Sequence, residues 1–250
     1  MRRVHVVITG QTSGRGSEDK AKGTLNAPHL DMSSSCIARD GSSALVTGCD
    51  HRVVPLRRLV LASASPARLR LLTQAGFAPD VIVSGVDEDA VTAPEPSALV
   101  LALATAKAEA VAATVDDALV VGCDSLFDTD GEVHGKPFDG AEAKARLQKL
   151  RGRSGVLRTG HCIIDTANGR CARAVASTIV RFGDYDDDEL DAYIATGEPL
   201  AVAGAFTLDG RSAPFIDGID GDPSNVVGLS LPLFRSLLRE LSTEVRDLWV

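Results

Sequence analysis

Residues 59–72 read Leu59-Val60-Leu61-Ala62-Ser63-Ala64-Ser65-Pro66-Ala67-Arg68-Leu69-Arg70-Leu71-Leu72. The apolar start predicts a strand, and Ser65 as N-cap, Pro66 at the first helical position and Gly76 as a stop predict the helix that follows. At such a junction the free helix N–H groups, the Ser63 hydroxyl and the Arg68 guanidinium can converge on one phosphate-sized anion. A capped surface helix with an exposed arginine fits the same residues equally well.

Composition excludes several classes of protein. The 250 residues are 44% hydrophobic and carry a net charge of −8, which allows a large buried core and argues against a general binder of nucleic acid polymers. No apolar run has the length of a membrane helix, and the apolar segment at residues 4–8 is too short for a signal peptide, so we expect a cytoplasmic protein. Five cysteines without a C-x-x-C pair predict neither a disulfide framework nor a zinc site.

The character of the sequence changes near residue 56. Residues 1–55 are rich in Gly, Ser, Thr and charge without periodicity, which predicts a disordered or loosely attached extension. Residues 56–250 alternate between strand and helix patterns, as in a layered α/β domain. The predicted strands are 81–83, 119–123, 156–164 and 174–182; the predicted helices are 95–114, 142–150, 187–195 and 232–241; and a Gly-rich loop spans 204–228. The turn residues Asn168-Gly169 predict a hairpin between the last two strands, which makes the sheet mixed.

Two groups of charged residues lie near the ends of these elements. The acidic cluster Asp87-Glu88-Asp89 and the Asp124 carboxylate, which we expect to end a strand, could together hold a hard divalent cation. Lys107 lies in an Ala-rich helix and Lys136 in a Gly-Lys-Pro turn. Each is an ordinary solvated charge when taken alone. Combined with the residue 63–68 junction, they predict phosphoryl chemistry, and the absence of a Walker motif or kinase signature favours hydrolysis over transfer.

Ordered motifs from about Leu56 to Trp249 resemble the Maf family of nucleoside triphosphate pyrophosphatases. No single motif is decisive, whereas their combination is specific. In chain order they are Ser63-Ala64-Ser65-Pro66-Ala67-Arg68, Val86-Asp87-Glu88, Ala106-Lys107-Ala108, Gly122-Cys123-Asp124-Ser125, Gly135-Lys136-Pro137, Thr159-Gly160, Gly197-Glu198-Pro199-Leu200, Ala203-Gly204-Ala205-Phe206 and Asp222-Pro223-Ser224-Asn225-Val226-Val227-Gly228-Leu229.

The resemblance implies a fold and a reaction. The expected fold is a mixed, curved sheet with flanking helices and a cleft between two lobes, as in Maf and ITPase-like proteins, often paired as a homodimer. The expected reaction is hydrolysis of a nucleoside triphosphate to a monophosphate and pyrophosphate, a house-cleaning activity that uses Mg²⁺ or Mn²⁺. Carried over by motif, Asp124 is the catalytic proton acceptor and holds the metal with Glu88, although Asp87 stays open as the nearer acid. The implied triphosphate-binding residues are Ser63, Arg68, Lys107 and Lys136.

Three positions that set base preference in the family depart from its known patterns. They hold Ala67, Ser125 and Asp209, which match neither the dTTP and UTP branch nor the 7-methyl-GTP branch. A small Ala67 leaves room near the base, and the Asp209 carboxylate can accept from an N–H donor, so we expect broad or non-standard triphosphate use. Two other functions stay open: a non-catalytic nucleotide sensor that regulates cell division through a partner, and a phosphatase that releases orthophosphate.

Overall fold

The structure, a computed structural model, describes residues 57–250; the predicted extension over residues 1–55 lies outside them. One sheet forms the centre. Its strands are β1 (Arg58–Leu61), β2 (Asp80–Val81), β3 (Ala118–Thr129), β4 (Glu132–His134), β5 (Ser154–Asp165), β6 (Arg170–Phe182) and β7 (Ile216–Asp220). The helices are α1 (Pro66–Gln74), α2 (Pro96–Ala112), α3 (Gly140–Leu150), α4 (Asp187–Ala195), α5 (Pro223–Val227) and α6 (Leu231–Glu240).

The sheet is mixed, as the hairpin signal predicts. The strand order is β2-β1-β3-β5-β6-β7, and β4 pairs with β3 beside this path. β1 is parallel to both of its neighbours, whereas all the other pairs are antiparallel. β5 and β6 pair continuously from Ser154↔Arg181 to Asp165↔Arg170. Gly169 in their loop has a φ of 73°, a left-handed conformation that glycine adopts without strain.

Residues 57–250 form four buried apolar clusters, and we call the two larger ones the cores of the first and second lobes. The first lobe packs α1 and α6 around Leu61 and Phe234, and the second packs α3 and α4 around Phe127 and Phe182. β3 and β5 each contribute to both cores, so the lobes share continuous strands. None of the helices formed by residues 57–250 has the length and apolar character needed to cross a bilayer.

Helix α2 lies directly on the sheet backbone. A Cβ atom added at Gly122 of β3 would come within 2.2 Å of the Ala104 carbonyl oxygen, and one at Gly160 of β5 within 2.1 Å of the Val100 oxygen. Only glycine permits such an approach, because any side chain would collide with helix backbone. The contact fixes the height of α2 above the central strands, and with it the position of Lys107.

The predicted helices form near their expected positions, but three strand predictions are wrong. β3 continues to Thr129, so Asp124 lies in the middle of a strand rather than at its end. The apolar run stops at Cys123, yet the ladder with β5 keeps the backbone extended. The Gly-rich loop of residues 204–228 contains β7 and α5, and β2 is shorter than predicted. Strand β4 carries no sequence signal strong enough to separate it from a turn.

Candidate active site

A cleft of about 690 Å³ opens where the lobes meet. The serine-proline junction and the mid-chain aspartate, far apart along the chain, both line it. Eight of the nine predicted site residues line this cleft: Ser63, Ala67, Arg68, Glu88, Lys107, Asp124, Ser125 and Lys136. The structure therefore brings together in one cleft the acidic residues and the residues predicted to bind phosphate.

Lys107 joins two carboxylates at the floor of the cleft. Its Nζ lies 2.6 Å from Asp124 Oδ1 and 2.7 Å from Glu88 Oε1. The side chains of Lys107 and Asp124 are largely buried, whereas the side chain of Glu88 is exposed to solvent. Burial raises the pKa of Asp124 above its ordinary value, and the charge and hydrogen bond of Lys107 oppose that rise. Lys107 donates to Oδ1, whereas Oδ2 accepts no hydrogen bond from the other residues of the described range and is the oxygen more open to a proton.

Arg68 is held on three sides. Its Nε donates to the Gly228 carbonyl at 2.7 Å, one terminal nitrogen donates to Ser63 Oγ at 3.1 Å, and the other donates to Ser125 Oγ at 3.0 Å. A guanidinium has five N–H donors, so two remain for a ligand. Ser65 caps α1 by accepting from the Arg68 N–H, as the sequence predicts. A fixed guanidinium beside a helix N-terminus is suited to phosphate oxygens.

Lys136 reaches the cleft from the opposite lobe. It follows Gly135, whose carbonyl oxygen accepts hydrogen bonds from Gly204 N at 3.2 Å and from Arg146 at 2.7 Å. These contacts anchor the short turn after β4 to the second lobe. Lys136 therefore lies on a supported turn, and it lines the same cleft as Pro66, Ala67 and Arg68 of α1.

Glu88 and Asp124 offer oxygen atoms of the type that Mg²⁺ and Mn²⁺ prefer. Both approach the same ammonium, so a cation could contact both in its place. Asp87 does not line the cleft, which makes Glu88 the acid of that pair directed toward Asp124. Residues 57–250 contain no group of three or more His, Cys, Asp or Glu side chains arranged around a metal position. Two carboxylates are nevertheless a common protein contribution when substrate phosphates complete the Mg²⁺ shell.

Asp209 is the predicted site residue that stands apart. Its carboxylate forms an ion pair with Arg70, on the part of α1 beyond Arg68, and it does not line the cleft. Its role in base preference stays a prediction. The other two specificity positions, Ala67 and Ser125, do line the cleft, and the Ser125 hydroxyl is already engaged by Arg68.

A buried polar group that the sequence analysis did not identify lies behind the Arg68 contacts. The Thr159 hydroxyl lies 2.9 Å from the Ser125 hydroxyl, and the fully buried His161 donates from Nδ1 to the Thr159 carbonyl. His161 Nε2 accepts from the Ser230 N–H at 2.8 Å, and burial lowers the pKa of this imidazole to about 4. The motif Thr159-Gly160 was noted in the sequence, but only the register of β3 and β5 shows that Thr159 lies opposite Ser125.

Comparison with known proteins agrees with this geometry. Residues 58–241 match the sequence model of the family described as Maf-like protein. The chain belongs to the Maf family. A "Nucleoside triphosphate pyrophosphatase" of Streptomyces coelicolor is 66% identical over 197 residues, which cover 78% of this chain and 96% of that protein. Its namesake in Streptomyces avermitilis is 64% identical with the same coverage, and one in Synechocystis is 52% identical over 76% of this chain and 97% of the relative.

Proposed function

We propose that this Maf protein is a nucleoside triphosphate pyrophosphatase that cleaves the bond between the α and β phosphates. The observation that carries the proposal is that the ion-paired Asp124, Lys107 and Glu88 line the same cleft as the fixed guanidinium of Arg68. The names of the relatives support the same activity. The products are a nucleoside monophosphate and pyrophosphate.

In the proposed mechanism, cationic groups first neutralise the triphosphate. Arg68 and Lys136, which both line the cleft, bind its oxygens, and the α1 N-terminus adds N–H donors. A Mg²⁺ or Mn²⁺ ion held by Glu88 and Asp124 would supply further charge neutralisation at the phosphate oxygens. Water then attacks phosphorus in line with the departing group while Asp124 Oδ2 accepts its proton. Lys107 stabilises the buried carboxylate before this transfer and can donate to phosphate oxygens.

The decisive experiment is product analysis with wild-type protein and Asp124→Asn. We expect equal amounts of monophosphate and pyrophosphate from the wild type, and a fall in kcat of about 10² to 10⁴-fold in the variant, the usual contribution of a general base. Nucleotide binding, measured by calorimetry, should be largely retained. Asp116→Asn is a matched control, because Asp116 is exposed and does not line the cleft. Orthophosphate as the product would instead identify a phosphatase.

The non-catalytic sensor makes the opposite prediction for the same variant. An Asp124→Asn protein that keeps its full cellular effect, from a wild type that releases no pyrophosphate, would favour a sensor acting through a partner. Substrate preference requires a panel of natural and modified triphosphates. The small Ala67 at the cleft leads us to propose broad or non-standard base use, and a strict preference for one standard base would contradict this.

The setting of the enzyme is part of the same proposal. We place it in the cytoplasm, with Mg²⁺ or Mn²⁺ as cofactor, where it would remove unwanted triphosphates from the nucleotide pool. We also propose a homodimer, on family resemblance alone. Sedimentation of the purified protein over a concentration series tests the dimer, and a single monomeric species at every concentration would reject it.

A further inference from the structure

A line of polar groups runs from Arg68 into the interior of the sheet. Arg68 donates to Ser125 Oγ at 3.0 Å, the Ser125 and Thr159 hydroxyls lie 2.9 Å apart, and Thr159 Oγ1 donates to the Asn225 carbonyl at 3.3 Å. Ser125 and Thr159 are directly opposite each other on β3 and β5, so their side chains share a face of the sheet. Thr159 is fully buried and does not line the cleft, so it does not touch a ligand there.

Chemistry fixes the direction of the first hydrogen bond in this line. Arginine only donates, so Ser125 Oγ must accept from Arg68. Thr159 Oγ1 lies 2.9 Å from Ser125 Oγ and 3.3 Å from the Asn225 carbonyl oxygen, which also accepts from the Gly228 N–H at 3.0 Å. Whichever hydroxyl donates in the Ser125–Thr159 pair, their hydrogen bond restrains the Ser125 hydroxyl, and a lone pair of Ser125 stays directed at Arg68.

The far end of the line is rigid. The Asn225 side-chain nitrogen donates to the Leu157 carbonyl at 3.2 Å and to the Thr178 hydroxyl at 3.1 Å, and Asn225 is fully buried. Three residues later, the Gly228 carbonyl accepts directly from Arg68 Nε. The segment from Asn225 to Gly228 therefore holds the guanidinium at two points, once directly and once through the two hydroxyls.

We infer that Thr159 is a positioning residue that orients Arg68 for triphosphate binding by acting through Ser125. This inference rests on the proposed function and adds a role for a residue beneath the site. It also assigns the Ser125 hydroxyl to Arg68 rather than to the nucleotide base. Removing the Thr159 hydroxyl frees the Ser125 hydroxyl to rotate, so the guanidinium keeps two fixed acceptors and a third that is no longer held in place.

The test is a comparison of Thr159→Val with Thr159→Ser. Valine keeps the shape without the hydroxyl, and we expect the KM for a triphosphate substrate to rise about tenfold, near the upper end of the effect of losing a hydrogen bond between neutral groups, with a smaller change in kcat. Serine keeps the hydroxyl and should return KM to within about twofold of wild type. Thr129→Val is the matched control, because Thr129 lies on β3 and its hydroxyl has no hydrogen-bond partner within residues 57–250. Its KM should not change.

A double-mutant cycle tests whether Thr159 acts through Ser125. In a Ser125→Ala background, Thr159→Val should change KM by less than about twofold, since the connection is already broken. A tenfold rise in that background, or an unchanged KM for Thr159→Val alone, would overturn the inference. Thr159→Ala replaces the valine variant should that protein not fold. If wild type releases no pyrophosphate, the proposed function fails, and the same cycle is measured as calorimetric binding of a non-hydrolysable triphosphate.

Discussion

Substituting Gly122 by alanine should disturb stability and catalysis through one contact. The new Cβ would lie 2.2 Å from the Ala104 carbonyl oxygen and 2.7 Å from the Ala108 nitrogen, both backbone atoms of α2 that cannot rotate away. An ordinary contact begins near 3.4 Å, so α2 must move away from β3 by about 1.2 Å. Overpacking of this kind costs about 1 to 3 kcal/mol of unfolding free energy. Lys107 moves with the helix, which lengthens its 2.6 Å contact with Asp124.

Urea denaturation and pyrophosphate release measure the two effects on the same Gly122→Ala protein. A displacement of about 1 Å in a catalytic contact can lower the rate by about 10²-fold, so kcat should fall by more than the folded fraction alone explains. For stability, Gly135→Ala is the matched control: its added Cβ meets nothing within 4 Å, and its unfolding free energy should change by less than about 0.5 kcal/mol. A Gly122→Ala protein with wild-type stability and kcat would refute the tight helix-to-strand contact.

Two further predictions concern buried charge. Lys107→Met should tighten Mn²⁺ binding in the absence of nucleotide by at least about tenfold, because the Lys107 ammonium and a dication held by Glu88 and Asp124 repel each other by several kcal/mol. The affinity is measured by electron paramagnetic resonance, with the surface variant Lys144→Met as the control that should bind Mn²⁺ like the wild type. Equal Mn²⁺ affinities for the wild type and both variants would contradict a metal position beside Glu88 and Asp124. His161 has a pKa of about 4 against an ordinary 6.5, so the unfolded chain takes up this proton first as the pH falls. The contribution of His161 to the free energy of unfolding should therefore be complete above pH 6.5 and decrease toward pH 4, by at most about 3 kcal/mol. Urea denaturation of His161→Gln should show a smaller loss of unfolding free energy over the same pH range than the wild type shows.

Local signals in the sequence predicted what local forces determine. Ser65 and Pro66 begin α1 because capping and the fixed proline φ act within one helical turn. The hairpin of β5 and β6 follows from its turn residues in the same way. The acids and lysines of the site were predicted by residue type and by resemblance, and the fold then placed eight of nine around one cleft.

The contacts that hold Arg68 could not be predicted, because they depend on register and distant backbone. Gly228 offers its carbonyl from 160 positions away, and Thr159 meets Ser125 only because β3 and β5 pair in one particular register. Asp209 illustrates the reverse case. The family resemblance assigned Asp209 to base preference, and nothing in the sequence indicated that the Asp209 carboxylate would form an ion pair with Arg70. Side-chain partners of this kind follow from tertiary structure.

The long strands β3 and β5 run without interruption from one lobe to the other, beneath the cleft. A flexible loop between the lobes would act as a hinge and let them open. Here the lobes share the paired strands β3 and β5, so opening the cleft must bend these hydrogen-bonded strands. Paired strands resist large bending motions, so the stiffness of the sheet mainly sets the width of the cleft that a ligand enters. The width of the cleft is then a property of the central sheet more than of the turns that line it.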